Sequence, residues 1–450
     1  MLASKPSPVG RRVELSVVEF CVRTFIDVRS IGSSFTIYVV DDVPDVELPD
    51  PYMIYERGSY NVRTLTFLKL LRKENNSESF DIIEKLWERW FVFYGPLTPL
   101  LLYDKISDIY IDSSGIHAYH VDLGLCEFCI ELCRCVRYLG FFNKRKIDVS
   151  YKFEDFVKYI IHKISERTSN PVTAYMPMIS VTDPDFKVRF SVSVRPISDP
   201  YIHVRVLPKR PWTFGDLIAR GSLSVDYAAL LWYLFDRKIP ILIIGPMGGG
   251  KTSLANAITY CSNPILFKAL ILDVDEMILP GHNVVKLFER KAYGLGVQSI
   301  TKRDLIAHAL RVGADYVIVN EVRTRDEVSA WIDAVTSGHG GVTTFHAENM
   351  EKLKIRLENM IGSSKIVDEI AIVKMSVRTS IEESHGVRTC KKSRIVSKIV
   401  VPRDLDIDEE ELLIRKQVVK EFIGKSYVQQ LNMISEFYKN PDMILQARSS

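Results

Sequence analysis

The stretch ILIIGPMGGGKTS, residues 241–253, decides the fold of this chain. Four apolar residues at 241–244 predict a buried strand, and LANAI from Leu254 predicts a helix. The glycine-rich segment between them has the spacing G-x-x-x-x-G-K-[ST], in the strand–loop–helix context that a phosphate-binding loop requires. Glycines let backbone N–H groups wrap around phosphate oxygens, and the helix N-terminus adds positive dipole character. The sequence therefore predicts that the protein binds a nucleoside triphosphate.

The residue types in this loop also predict how the triphosphate is held. Lys251 can reach the β- and γ-phosphates, and the Thr252 hydroxyl can coordinate Mg²⁺. A nucleoside triphosphate and Mg²⁺ are thus the expected ligands. The remaining predicted triphosphate-binding residues of the loop and of the first helical turn are Gly245, Gly248, Gly249, Gly250 and Ser253.

Length and composition limit the class of protein. A chain of 450 residues is too long for one core, so more than one domain is expected. The net charge of +3 argues against a strongly electrostatic nucleic-acid binder, so no nucleic-acid partner is expected. The sequence has no uncharged apolar run of about 18 residues, and its start lacks the pattern of a signal peptide. We therefore expect a cytoplasmic protein that is soluble or peripheral to the membrane.

Composition shifts along the chain predict its domain organisation. Residues 1–92 are a variable amino-terminal region, which ends in a helix with one apolar stripe. Residues 93–207 are predicted to form a small α/β domain, and PKRPW at 208–212 is a proline-flanked linker. Residues 213–450 alternate strand and helix, as in a doubly wound α/β domain, and end in a hairpin and helices.

Two further apolar strands of the second domain end in carboxylates. ALILDVDEMILP delivers Asp273, Asp275 and Glu276, and ADYVIVNEVRTRDE delivers Glu321. In a parallel sheet these groups lie at the same edge as the phosphate-binding loop. Carboxylates at that edge can hold Mg²⁺ through water or polarise the attacking water. The alternative for each is a solvated acidic residue at a strand end.

A glycine-rich turn and strand, SGHGGVTTFHAEN, follows the strand that ends at Glu321. It contains His339 and His346. Because no third ligand cluster accompanies them, a metal site is not favoured. We interpret both histidines as polar sensors near the γ-phosphate.

The segment CEFCIELCRC carries four cysteines, Cys126, Cys129, Cys133 and Cys135. Their spacing is too compact for a usual four-ligand zinc site, in which a longer loop separates two pairs. Buried free thiols or a local disulfide are favoured over a bound metal.

The series GPMGGGKTS, ILDVDE, VIVNEVR and SGHGGVTTFHAEN, in this order and spacing, resembles the secretion ATPases of type II and type IV systems. This family includes motors of conjugation, pilus assembly and the archaellum. LFERKAYGLG and DLIAHALRVGADY resemble its archaeal branch most closely. The similarity covers roughly residues 93–400.

The resemblance implies a homohexameric ring with ATP between an amino-terminal domain and a RecA-like carboxyl domain. The implied fold class is therefore α/β, with a RecA-like P-loop NTPase domain preceded by a smaller α/β domain. By the motif match, Glu321 orients water and joins Thr252 on Mg²⁺. Asp273 and Glu276 match an acidic box, and His339 and His346 match a histidine box.

In this family, arginines on strands of the amino-terminal domain reach the phosphates. Arg189 and Arg205 occupy the matching positions, although a solvent-facing strand arginine is the plain alternative for each. The chain departs from the family pattern at Asn320, where glycine is usual, and at Leu272 and Asp275 in the acidic box.

The sequence thus predicts a hexameric ATPase, peripheral at the inner face of the cell membrane. It would power assembly of a pilus-like filament or protein secretion through a polytopic membrane platform protein, and so act on pilin-like subunits indirectly. Two alternatives stay open. One is a DNA-translocating motor of the same fold. The other is an ATP-binding scaffold that does not hydrolyse, for which the altered acidic box and Asn320 are the signal.

Overall fold

The computed structural model describes residues 11–20, 22–31, 34–41, 46–49, 93–129, 136–139, 149–279, 281, 283–290, 298–384 and 387–439. The helix predicted to end the amino-terminal region lies outside these residues. The chain groups into two compact units. One comprises residues 1–207 with 381–391, and the other comprises 208–380 with 392–450.

In its described part, the first unit is built on a nine-stranded sheet of order β1-β2-β3-β7-β6-β5-β11-β10-β9, and β4 pairs with β8 separately. All neighbours in the large sheet are antiparallel except β3 and β7. The strands are β1 (Arg11–Phe20), β2 (Val22–Ile31), β3 (Ser34–Asp41), β4 (Val46–Pro49), β5 (Ile106–Asp112), β6 (Gly115–His120), β7 (Gly124–Cys129), β8 (Val136–Leu139), β9 (Met178–Asp183), β10 (Val188–Ser193) and β11 (Tyr201–Val206), with helices α1 (Thr98–Leu102) and α2 (Val149–Thr168).

The strands of this unit bury alternate residues. In β10, for example, Val188, Phe190 and Val192 are buried, whereas Arg189 and Ser191 between them are half-buried. Successive side chains of a strand point to opposite faces, so this alternation gives the sheet one core face and one polar face.

The second unit is built, within the described residues, on a seven-stranded sheet of order β14-β13-β15-β16-β12-β17-β18. Every pairing from β14 to β17 is parallel. The strands are β12 (Ile241–Ile244), β13 (Lys268–Leu272), β14 (Val284–Phe288), β15 (Tyr316–Val319), β16 (Gly340–Phe345), β17 (Ala371–Ser384) and β18 (Val387–Val400). The helices are α3 (Phe214–Ala219), α4 (Val225–Asp236), α5 (Lys251–Tyr260), α6 (Lys302–Arg311), α7 (Arg325–Thr336), α8 (Met350–Ile361), α9 (Glu409–Glu421) and α10 (Tyr427–Lys439).

The central strands of this sheet are buried along their whole length. All residues of β12, β13, β15 and β16 are buried. Two hydrophobic clusters draw alternate residues from them, such as Ile241 and Ile243 in one and Leu242 and Ile244 in the other. Helices therefore cover both faces of a mainly parallel sheet, and the predicted RecA-like α/β fold with a second α/β domain before it is confirmed.

Where the sequence predicts a carboxyl-terminal hairpin and helices, the structure has the neighbouring strands β17 and β18, followed by α9 and α10. The acidic run begins α9, where the side chain of Asp408 accepts a hydrogen bond from the backbone N–H of Glu411. Carboxylates suit the first turn of a helix because of its dipole. Of the helices that the structure describes, none combines the length and the apolar character of a membrane span.

Of the cysteine cluster, Cys126 is described as a buried free thiol. Burial raises the pKa of this thiol to about 12. The side chain of Cys129, and Cys133 and Cys135 altogether, lie outside the described residues.

Candidate active site

The predicted phosphate-binding loop joins β12 to α5, and two of its glycines adopt backbone conformations that other residues disfavour. Gly248 and Gly250 have φ angles of 68° and 83°, in the left-handed region. Gly245 packs directly on β17, because a Cβ built there would lie 2.8 Å from the carbonyl oxygen of Met375. Glycine is therefore required at 245 by close approach of two backbones.

Lys251 is buried at the start of α5, with 7% of its surface exposed. Its ammonium donates to the carbonyl oxygens of Gly245 and Pro246 at 3.1 and 2.9 Å. Burial lowers the pKa of Lys251, and the negative charge of Glu321 opposes that shift. The cation is thus oriented by the backbone of its own loop.

His346, directly after β16, lies between this lysine and the glutamate that follows β15. Its Nδ1 is 3.4 Å from Nζ of Lys251, and its Nε2 is 2.8 Å from Oε1 of Glu321. An ammonium can only donate, so Nδ1 is the accepting nitrogen and the proton resides on Nε2. Burial and then the charge of Lys251 lower the pKa of His346. The imidazole therefore lies between the loop cation and the strand-end carboxylate, where burial and the lysine favour its neutral form.

The Glu321 carboxylate has two different environments. Oε2 accepts from Arg323, whose Nη2 and Nε lie 2.6 and 2.8 Å away. Oε1 is buried, and its approach to His346 lacks the alignment of a hydrogen bond, so no donor satisfies it among the described residues. Nη2 of Arg323 also lies 3.1 Å from Oδ2 of Asp273. One guanidinium thus joins two of the predicted acidic residues.

Two further residues fix the backbone around Glu321. Asn320 is 2% exposed; its amide nitrogen donates to Asp273, and its Oδ1 accepts from the backbone N–H of Glu321 at 2.9 Å. Lys302 is 1% exposed and donates to the carbonyl oxygen of Glu321 at 2.7 Å. The departure from glycine at 320 therefore supplies a link between the two acidic strand ends.

Of these supporting residues, Arg323 and Lys302 were missed in the sequence, whereas Asn320 was noted only as a departure from the family pattern. For Arg323 a signal existed, because residues two apart in an extended segment share a face, so 321 and 323 were candidates for one site. For Lys302 there was none, since a lysine at the start of an amphipathic helix usually faces solvent.

His339 is not brought to this edge of the sheet. It lies immediately before β16, whereas His346 lies immediately after it. Six residues of strand separate the two by roughly 20 Å. Nδ1 of His339 is 3.2 Å from Oγ of Ser337 and from the carbonyl oxygen of Ala334, at the end of α7. Within one chain, therefore, His346 lies beside the loop and His339 does not.

The other predicted residues of this unit occupy the expected segments. Thr252 and Ser253 are half-buried in the first turn of α5. Glu276 is half-buried in the loop after β13, and Asp275 beside it pairs with Lys286 at 2.5 Å. Their roles stay predictions.

Arg189 and Arg205, in the first unit, are directly opposite each other on β10 and β11. Nε of Arg189 donates to Oγ of Ser180 at 3.1 Å. Nε of Arg205 donates to Oδ1 of Asp108 at 3.2 Å. The two cations share the polar face of that sheet.

The residues beside the loop fit a Mg²⁺ ion whose coordination is completed mainly by the phosphates of a bound nucleotide. Throughout the described part of the chain, no three His, Cys, Asp or Glu side chains converge on a metal position. Mg²⁺ with a nucleotide needs only one or two protein oxygens besides phosphates and waters. The Thr252 hydroxyl and the unsatisfied Oε1 of Glu321 are oxygens of that type.

A family model described as "Type II/IV secretion system protein" matches residues 177–411. The chain belongs to this family. An uncharacterised protein of Methanocaldococcus jannaschii, MJ1287, is 31% identical over 245 residues, which are 50% of this chain and 90% of that protein. A second match, from the same organism, is consistent with the archaeal branch that the sequence indicated.

Bacterial relatives match over shorter stretches. A putative conjugal transfer protein of Mycobacterium tuberculosis is 30% identical over 190 residues, which are 42% of this chain and 53% of the relative. The chain thus spans about half the length of this relative, and 30% of the second Methanocaldococcus protein. Among solved structures, the Legionella pneumophila ATPase DotB superposes with a TM-score of 0.41 and 15% identity, covering 79% of this chain and 87% of DotB. That superposition is too loose to transfer any feature of its site.

If the chain is the ATPase that its sequence predicts, replacing Arg323 with alanine should lower kcat about tenfold and change KM little. The substitution leaves the carboxylates of Glu321 and Asp273 without their shared cation, so Glu321 loses its fixed orientation. Steady-state phosphate release measures the effect.

Arg325 provides a matched control, because it is exposed and donates to the carbonyl of Met360 on α8. Arg325→Ala should retain normal turnover. If kcat fell equally in both variants, the loss of a positive charge in this region, rather than the loss of the contacts of Arg323 with Glu321 and Asp273, would explain the effect.

Proposed function

We propose that this chain is the ATPase subunit of a homohexameric motor at the inner face of the cell membrane. It hydrolyses ATP with Mg²⁺ and uses the energy to assemble a pilus-like filament, such as an archaellum or adhesive pilus, or to secrete protein. The family match supports a secretion-system role. The observation that carries the ATPase proposal is the convergence of Lys251, His346 and Glu321 on one edge of the parallel sheet.

Each group has a chemical task in phosphoryl transfer to water. Lys251 neutralises the β- and γ-phosphates, and the loop N–H groups from Gly248 to Thr252 hold their oxygens. Oε1 of Glu321 accepts a hydrogen bond from the attacking water and orients it, while Arg323 holds Oε2. Mg²⁺ supplies charge neutralisation on the transferred phosphoryl group when it is bound. His346 lies beside both Lys251 and Glu321, so its position depends on both of them.

The proposal includes Arg189 and Arg205 as phosphate-binding residues. Like charges directly opposite on neighbouring strands destabilise a sheet, yet these two arginines are paired in register. Asp108 offsets part of that repulsion at Arg205, and a polyanion between the two guanidinium groups offsets the rest and accepts their N–H donors.

The partner and location follow from the motor role. A membrane-peripheral ATPase needs a polytopic platform protein to transmit motion to pilin-like subunits, so we propose such a platform as its direct partner. Copies of this chain would supply the ring.

Phosphate release by the purified full-length protein tests the function. We expect turnover with MgATP and none after EDTA chelates the metal, because the phosphate charge is then uncompensated. Light scattering with ATP should show six copies. ATP binding without turnover would support the non-hydrolysing scaffold instead, and absence of both would contradict the proposal.

A DNA-translocating motor is the second candidate, favoured by the similarity to a putative conjugal transfer protein. It predicts that DNA stimulates turnover and that the stimulation falls steeply with salt. Turnover that is indifferent to DNA would exclude it.

A further inference from the structure

The carboxyl-terminal hairpin places an arginine on the phosphate-binding loop. Arg394 of β18 donates from Nε to the carbonyl oxygen of Gly248 at 2.7 Å. Its side chain also lies beside Gly250, since a Cβ built there would be 3.3 Å from Cδ of Arg394. The arginine is exposed, so this contact is not a consequence of core packing.

The bond fixes one end of a peptide unit whose other end is also held. The backbone N–H of Gly249 donates to the carbonyl oxygen of Pro246 at 3.2 Å. In a trans peptide the C=O and the following N–H point in opposite directions. Because Gly248 has the freedom of a left-handed glycine, two opposed bonds define an orientation that its backbone alone does not.

The strand that carries Arg394 is fastened to the sheet of the loop. Oγ of Ser397 donates to the carbonyl oxygen of Lys374 at 3.1 Å and accepts from Oγ of Ser376 at 2.8 Å. Lys374 in turn pairs in register with Ile244, the last residue of β12. The guanidinium is therefore held at a fixed position relative to the strand that enters the loop.

We propose that Arg394 is a positioning residue for the nucleotide, which holds the Gly248 carbonyl and so keeps the glycine loop in its phosphate-accepting shape. This role rests on the ATPase function proposed above. If the loop must become ordered when ATP binds, the cost of ordering it reduces the binding free energy of the ground state and of the transition state equally. Loss of the bond should therefore raise KM and Kd for ATP about tenfold and leave kcat within about twofold.

Three substitutions separate the hydrogen bond from the charge. In Arg394→Gln, Nε2 is attached to Cδ, as Nε is in arginine, so a neutral donor is kept at the same position along the side chain. Arg394→Met has similar length and no donor. Arg394→Lys keeps the charge but carries its donor one atom farther out. Equilibrium binding of a fluorescent, non-hydrolysable ATP analogue with Mg²⁺ to the full-length protein, together with steady-state kinetics, measures each variant.

We expect the methionine variant to bind about tenfold more weakly and the glutamine variant to stay within about threefold of the wild type. Lys392→Met removes an exposed charge two residues earlier in β18 and should bind normally. Normal binding by Arg394→Met would overturn the proposal. The proposal would also be overturned if the glutamine variant bound the analogue as weakly as the methionine variant while the lysine variant bound it normally. The positive charge, rather than the hydrogen bond, would then explain the effect.

The outcomes for this inference differ from those for the proposed function. If the wild-type protein hydrolyses ATP and Arg394→Met binds and hydrolyses it equally well, only the positioning role of Arg394 is refuted. A wild type that neither binds nor hydrolyses ATP removes both. Equal unfolding midpoints for the variants, with the KM change confined to the methionine form, distinguish positioning from loss of structure.

Discussion

Replacing Lys251 with alanine should lower ATP turnover about a hundredfold to a thousandfold, the loss expected when a buried group that stabilises transition-state charge is removed. The ammonium is buried and held by two loop carbonyls, so no neighbouring cation can substitute for it without moving the loop. The fold should persist, because the substitution removes a buried charge rather than apolar packing. Phosphate release and nucleotide binding, measured on the same preparation, give the result.

Lys352 on α8 is the matched control. It is an exposed lysine whose partner, Glu348, is four residues earlier. Pairs of this kind contribute little, so Lys352→Ala should leave turnover and stability unchanged. Normal turnover in the Lys251 variant would refute the assignment of the loop to catalysis.

Replacing Glu321 with glutamine should lower kcat about 10²- to 10⁴-fold, the range for loss of a general base, while ATP still binds. Glutamine has nearly the same shape, and its amide oxygen can still accept from Arg323, but the amide cannot accept a proton from water. Single-turnover hydrolysis and equilibrium ATP binding together separate the two effects.

Glu348→Gln is the control here, because this carboxylate lies two residues past His346 and faces solvent. It should turn over ATP normally. If Glu321→Gln also does so, another carboxylate orients the water, and Glu276 becomes the next residue to test.

The core of the site could be predicted because its signals are local. The glycine spacing and Lys251 specify a phosphate-binding loop within thirteen residues. The position of Glu321 follows from one topological rule, that parallel strands end at a common edge. Alternating and continuous apolar runs also distinguish the mainly antiparallel sheet of the first unit from the mainly parallel sheet of the second.

The contacts that could not be predicted join segments distant in sequence. Arg394 reaches Gly248 across 146 residues, and nothing in either segment indicates the other. His339 was grouped with His346 because they are neighbours in sequence, but an extended strand places its two ends far apart. Asn320 was interpreted as a possible loss of function, whereas its amide fastens Asp273 beside Glu321.

The three central strands of the second unit have a consequence for how this site can vary. The neighbouring strands β12, β16 and β15 are followed by the segments that carry Lys251, His346 and Glu321, in that order. Adjacent strands are about 4.8 Å apart, so the backbones of β12 and β15 lie two inter-strand steps apart, about 10 Å. Side-chain substitutions can change which groups lie between these two strands, but not the separation of the strands. The backbone hydrogen bonds of the sheet therefore set the spacing of the segments that carry these groups, and this spacing persists as long as the sheet is folded.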